Sequence, residues 1–223
     1  MSKASPSCRT GSSSVHKRIV QVAIRLYREI GHRKTTVADI ARGASMSAAN
    51  IYRFYPSRRA VEEAAVAELL EEVSTAAERG ARCGKSGLER LHATFIAISR
   101  SHEDRLTNDA RLHDLVVASS RANWPVVRSH PDRLRALVWS IILRAQGSGE
   151  FRPGNPMMLA CCLLDAMNAY VNPSRIEALA LGPTFDEMMS FCAGALGSEA
   201  RCTASMQMTG ARLELQHNST GRS

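Results

Sequence analysis

Residues 47–61 read SAANIYRFYPSRRAV, which sets Asn50, Tyr52, Phe54 and Tyr55 among Arg53, Arg58 and Arg59. Rings and guanidinium groups at this density suit neither a dry core nor a fully solvated face. They suit a short helix that packs on one side and meets an anionic, stacked surface on the other. Guanidinium groups answer phosphates, and side chains on the first turns of a helix can reach base edges in a major groove. That chemistry is recognition, not bond making. No nucleophile is spaced beside a base, no carboxylates pair at helical spacing, and none of the six Cys sits in a C-x-x-C pair. The expectation is a protein without catalytic residues, without a metal site and without a cofactor.

The charge map supports the same reading. The formal charge is +8 over 223 residues. Residues 14–60 carry ten Lys or Arg against only Glu29 and Asp39, while residues 61–197 carry 14 basic and 17 acidic side chains. A strongly basic segment of under fifty residues on a slightly acidic remainder is the footprint of a nucleic-acid-binding head on a body with another task. No stretch approaches the ~20 consecutive apolar residues that a membrane-spanning helix needs. The N-terminal run MSKASPSCRTGSSS lacks an apolar signal stretch, which predicts a cytoplasmic protein with reduced thiols.

Helices must position the recognition residues. After Ser14, Val15, Ile19, Val22, Ala23, Leu26, Tyr27 and Ile30 repeat at helical spacing, and Gly31 reads as the residue that ends the helix. Thr36 followed by Asp39 reads as a cap for a helix over 37–42 that buries Val37, Ile40 and Ala41. Ser47 reads as the cap of a third helix from Ala48 to about Tyr55, broken by Pro56. Three short helices, the last two joined by a tight turn, describe a helix-turn-helix unit. Ile51 and Tyr55 would face its core. Ala49, Asn50 and Arg53 share the outer side, and the small Ala48 and Ala49 allow close approach to DNA.

The stretch TTVADIARGASMSAANIYRFYPSRRAV, 35–61, with the preceding helix, resembles the TetR family of bacterial transcription regulators. Thr36, Ile40, Ala41, Ala44, Ser47, Ile51, Tyr52, Tyr55, Pro56, Ser57, Arg58 and Val61 carry the likeness. The resemblance implies an all-α protein of about nine helices, with an N-terminal DNA-binding head and a C-terminal ligand-binding and dimerising body. It further implies repression relieved by a small molecule. Carried over by position, Thr36, Ser47, Tyr52 and Arg58 are phosphate contacts, Asn50 and Arg53 are base readers, and Ala49 lies beside them. Ser45 stands where the family commonly has a turn glycine, a change of little consequence if the turn keeps φ negative.

The organisation expected is a disordered arm over 1–13, the head over 14–60, the body over 61–197 and a disordered tail over 198–223. In the body, Ser57 reads as the cap of a long helix to about Glu78, followed by helical stripes at 88–98, 112–119 and 134–145, with glycines at 147–149 closing the last. NPMMLACCLLDAMNAYV, 155–171, is apolar nearly all round, interrupted only by Asp165 and Asn168. Such a helix must be covered on two sides. With the stripe Phe185, Met188, Met189, Cys192 and Leu196, it predicts a homodimer through Leu159, Leu163, Leu164, Met188, Met189 and Cys192. Cys161 and Cys162 read as core filler.

His92, Phe95, His113, Trp124, Trp139, Met167 and Tyr170 are the candidates for a ligand site. The partners expected are double-stranded operator DNA, a small apolar or amphipathic effector and a second copy of the chain. A constitutive DNA-binding architectural protein is the alternative, and a hollow or a solid body separates the two.

Overall fold

The computed structural model describes residues 8–176 and 182–197. The expected tail, 198–223, and the first seven residues of the expected arm lie outside the described residues. Within them the fold is all-α. Eleven helical segments run in order: α1 Cys8–Ile30, α2 Val37–Gly43, α3 Ala48–Phe54, α4 Arg58–Cys83, α5 Gly87–Asn108, α6 Ala110–Arg121, α7 Pro125–Arg128, α8 His130–Gly147, α9 Pro156–Ala166, α10 Asn168–Val171 and α11 Phe185–Leu196. Two of these, α7 and α10, are single turns of four residues. The only β pairing among the described residues is an isolated bridge between Phe151 and Gly197.

Two boundaries differ from expectation. The first helix begins at Cys8, inside the segment expected to be a disordered arm. The apolar run 155–171 is not one helix: it breaks at Met167, and α10 restarts at Asn168. The hydroxyl of Tyr170 donates to the carbonyls of Pro183 and Thr184, so the restarted turn is tethered to the segment leading into α11.

Caps set the head. The Thr36 hydroxyl accepts from the Asp39 backbone N–H at 3.2 Å, and the Asp39 carboxylate accepts in return from the Thr36 N–H at 3.0 Å. The Ser47 and Ser57 hydroxyls accept from the backbone N–H groups of Asn50 and Ala60 and start α3 and α4. Between α2 and α3 the N–H of Met46 reaches the Ala41 carbonyl at 2.9 Å, and that of Ser45 reaches Arg42 at 3.2 Å. This is a Schellman turn, and it places Ser45 in the left-handed region at φ 53°. The condition of a negative φ is therefore not met: the turn needs the conformation that glycine adopts freely, and a serine holds it under strain.

The long helices α4 and α5 form an antiparallel hairpin. A Cβ on Gly80 would lie 2.3 Å from the Ala93 carbonyl oxygen, so glycine permits this approach of the two backbones. The N-terminus of α5 is capped from a distance: the Glu150 carboxylate accepts from the backbone N–H groups of Gly87 and Leu88 at 2.7 and 3.0 Å.

The core has one large cluster at each end. At the head end, Ile19, Tyr27, Ile40 and Ile51 pack with Val61, Ala65, Val66, Leu69 and Leu70 of α4 and with Leu112, Leu115 and Val116 of α6. At the far end, Leu91, Phe95, Val138, Ile142, Leu163, Met167 and Met189 pack together. The core of the head thus continues past residue 60 into the body.

The strain at Ser45 is testable. Ser45→Gly should stabilise the protein by about 0.5–1 kcal/mol, the cost of a left-handed residue less the added freedom of the unfolded chain. Thermal unfolding should shift upward by about 2–4 °C at the upper end of that range. An unchanged or lower midpoint would show that the serine is not strained.

Candidate functional site

The head divides the residues of 47–61 between two faces. Ile51 is fully buried. The rings of Phe54 and Tyr55 meet the His16 ring edge-on, with centroids 5.0 and 5.4 Å apart. Tyr52 alone of the three rings is turned outward, at 49% exposure. The arginines divide likewise. Arg58 is committed inward: its guanidinium donates to the carbonyls of His32 at 2.6 Å and Arg33 at 3.1 Å and pairs with Glu62 at 3.1 Å. It clamps the α1–α2 loop onto the start of α4. Arg59 lies with its guanidinium carbon 3.6 Å from the centroid of the Trp124 ring, a cation–π contact between α4 and the residue that leads into α7.

Arg53 remains exposed on α3, next to exposed Ala49 and half-buried Asn50. Thr36 and Ser47 are exposed at the starts of α2 and α3, where each hydroxyl also serves as its cap. Of the residues expected to contact DNA, Thr36, Ser47, Ala49, Tyr52 and Arg53 are thus exposed and Asn50 is half-buried. For Arg58, expected as a phosphate contact, Nε and Nη2 are instead engaged by Glu62 and by the carbonyls of His32 and Arg33, which makes it an internal clamp.

Further contacts join head to body. The carbonyls of Arg28 and Glu29 at the end of α1 accept from the Arg111 guanidinium of α6, and Arg28 Nε meets Asp109 Oδ1 at 2.6 Å.

The body is hollow. A cavity of about 440 Å³ lies between α8 and the α9–α10 bend, over α4, α5 and the α6–α7 turn. Leu70, Val127, Leu134, Leu164 and Val171 supply apolar lining. His102 and His130 line it from α5 and α8, and Asp165, Asn168 and Asn172 from the α9–α10 side. Cys161 also lines it and Cys162 is exposed, so neither thiol is the core filler expected.

None of the seven residues expected to hold a ligand lines this cavity. Phe95, Met167 and Tyr170 are buried in the far cluster, with Trp139 packed against it. Trp124 belongs to the head-end core, and His113 is buried on α6. His92 is exposed on α5, bonded to Asp186 at 3.2 Å and edge-on to Phe185. Two signals pointed to the residues that do line the cavity. Asp165 and Asn168 are the polar interruptions of an otherwise apolar run, and His102 extends the buried stripe Leu91, Phe95, Ile98 by one helical step.

The cavity histidines are uncharged near neutrality. Burial, reinforced by the positive charge of Arg105, pushes His102 down to about 3. Burial, with Arg133 nearby, pushes His130 down to about 4. His102 is 1% exposed, and its Nδ1 has no hydrogen-bond partner. His130 Nδ1 lies 3.3 Å from the Ser74 hydroxyl.

The residues expected at the dimer interface point mostly inward. Leu163, Met189 and Cys192 are buried within one protomer, and Leu164 lines the cavity. Leu159 and Met188 are half-buried against the same core. The outward face of the same helices carries Met158, Cys162 and Phe191, with Phe191 72% exposed. The reversal has a simple cause. An all-round apolar helix has two apolar faces, and periodicity does not say which one its own protomer takes.

Comparison with known proteins agrees with this geometry. The family model described as bacterial regulatory proteins, tetR family, matches residues 19–65, and the one described as tetracyclin repressor-like, C-terminal domain, matches residues 88–187. The chain belongs to the TetR family of transcription regulators. Solved structures share the fold. One is RolR in complex with its ligand resorcinol, at 16% identity, TM-score 0.59, and coverage of 86% of this chain and 92% of that one. Another is a TetR/AcrR-family regulator from Thermobifida fusca YX-ER1, at 21% identity, TM-score 0.58, and coverage of 81% and 94%. A third is a TetR-family regulator from Agrobacterium tumefaciens, at 20% identity, TM-score 0.56, and coverage of 84% and 100%. No curated protein matches the chain. Among the described residues, no helix is long and apolar enough to cross a membrane.

The depressed histidines give a pH dependence of definite sign. Their folded values lie below the ordinary 6.5, so the unfolded chain takes up protons first as pH falls. Their full contribution is present above pH 6.5 and is lost as pH falls toward the folded values. Between pH 7.5 and 5 each should remove about 2 kcal/mol. Urea unfolding across that range should show a falling midpoint, and His102→Gln should flatten the slope. A midpoint independent of pH would place charged, solvated histidines there instead.

Proposed function

We propose that the protein is a homodimeric repressor that binds double-stranded operator DNA through α3 and releases it when a small apolar or amphipathic molecule fills the body cavity. The observation that carries this reading is the double membership of Leu70. It packs in the core shared by the head and α4, and it also lines the cavity. Val127 does the same from α7, on the partly buried edge of that core. A ligand that moves this wall acts directly on the packing that sets the head. The cavity also favours a regulator over a constitutive architectural protein, whose body needs no hollow.

Asn50 and Arg53 are the base readers in this reading, with Ala49 beside them, and Thr36, Ser47 and Tyr52 position the backbone. Two heads on one face of a duplex require a spacing near one helical turn, roughly 34–36 Å. A ligand releases DNA only by favouring a differently spaced state, and a tenfold loss of operator affinity needs about 1.4 kcal/mol of coupling. The second copy is assigned to the outward face of α9 and α11, where Met158, Cys162 and Phe191 leave apolar side chains uncovered.

Three measurements test this. Asn50→Ala and Arg53→Ala should each cost about 1–3 kcal/mol on the operator and much less on random DNA. Arg58→Ala should mainly lower the stability of the head; an equal loss from all three variants on both DNAs would refute these roles. Phe191→Arg should yield a folded monomer in sedimentation, whereas a retained dimer would put the interface elsewhere. In titrations of the full-length protein, operator DNA should weaken any effector by the factor by which the effector weakens operator binding. Equal ligand affinity with and without operator would favour the constitutive architectural alternative.

A further inference from the structure

We infer that the cavity selects an uncharged, mainly aliphatic amphiphile whose inner end carries a hydroxyl group bonded to His102. The inference rests on the reading of this cavity as the effector site and names what it takes.

The argument begins with the orphaned group. His102 is almost completely enclosed, yet its Nδ1 has no partner, and the residue lines the cavity. A buried polar atom left unpaired is costly, so a ligand group that pairs with it is favoured over one that does not. A hydroxyl both donates and accepts, so it suits either tautomer of a neutral imidazole.

Charge is excluded by the surroundings. Of the arginines around the histidines only Arg135 lines the cavity, and it pairs with Asp132 at 2.6 Å. Arg105 donates through Nη2 to Glu72 at 3.4 Å and to the Leu69 carbonyl at 3.1 Å; its Nη1 is buried without a partner, but the residue does not itself line the cavity. Arg133 is paired with both Glu71 and Glu78. A ligand carboxylate at the inner end would be stripped of water beside uncharged imidazoles, with Arg135 already held by Asp132 and Arg105 set behind the lining. A ligand ammonium would meet the positive field of Arg105 and Arg133, the field that disfavours charge on the histidines themselves. Burying an unmatched ion costs far more than a neutral hydrogen bond returns. Apart from Ser120, Arg135, Cys161 and a polar strip, the rest of the lining is Leu, Val and Pro with no Phe, Tyr or Trp ring, which suits an aliphatic body. Asp165, Asn168 and Asn172 follow one another at helical spacing across the α9–α10 bend. Asp165 is exposed, so this polar strip serves the outer end of the ligand, where water remains.

The test uses chain-matched probes on the full-length protein: 1-octanol, octanoate and octylammonium, measured by calorimetry at pH 7.5. The expected result is that 1-octanol binds at least tenfold more tightly than either ion, and that His102→Leu removes most of that advantage. Because this variant alters a buried position, the unmodified protein supplies a second readout. With ¹⁵N-labelled histidine, the His102 Nδ1 resonance should move when 1-octanol is added. Tighter binding of octanoate would overturn the inference in favour of an anion site, and tighter binding of octylammonium would do so in favour of a cation held at Asp165. Octanol binding with a stationary Nδ1 resonance would overturn the role of His102. No octanol binding at millimolar concentration would overturn the ligand class, while the operator titrations above would still decide the regulator reading separately.

Discussion

Everything in this molecule depends on α4 being one uninterrupted rod. Its 26 residues span about 39 Å. The first half, Val61 to Leu70, is built into the core that holds α1, α2, α3 and α6 together, while Val73 and Ala77 pack farther along against Ile98 of α5 and Leu134 of α8. A helix cannot bend sharply without losing backbone hydrogen bonds or meeting a proline or insertion, and α4 contains no proline. A displacement of its body half must therefore be transmitted to its head half. Ser57 caps the rod where the recognition helix ends, and Arg58 ties that end to the α1–α2 loop.

The side chains around this rod separate holding from reading. Arg58, Arg59, Arg28 and Arg111 are all basic and all near the head, yet each is bonded to a carbonyl, a carboxylate or a ring of this chain. They raise the net positive charge that draws the head to DNA and also make the head move with the body. Arg53 is left without such an internal contact and stands on the exposed side of α3. The Arg59–Trp124 contact extends this coupling to the α6–α7 turn, whose next residues include Val127 of the cavity wall. Head position, turn position and cavity shape are thus three aspects of one packed arrangement. Packed cores switch between discrete arrangements more readily than they deform continuously, which is what a ligand-driven release needs.

Much of this was legible in the residues alone. The caps at Thr36, Ser47 and Ser57, the helix-ending Gly31 and the buried faces of α2 and α3 are decided by neighbours within a few positions, so local chemistry reveals them. The helical class and the basic head follow from periodicity and from counting charges. The polar breaks at Asp165 and Asn168 in an apolar run were visible too, although their meaning was not.

What only the tertiary structure decided was the partner of each side chain across long separations. Arg58 resembles a phosphate contact until the carbonyls of His32 and Arg33, 26 and 25 residues away in sequence, arrive within 3.1 Å. Ser45 looks harmless until the joint requirements of α2 and α3 force a left-handed turn. Aromatic residues on the middle helices looked like a ligand site and proved to fill the core, while His102 and His130, far apart in the chain, came to line one hollow. Which face of α9 turns inward depends on where α8 and α11 lie. Helical periodicity specifies that a face is buried; the packing of distant helices specifies what it is buried against.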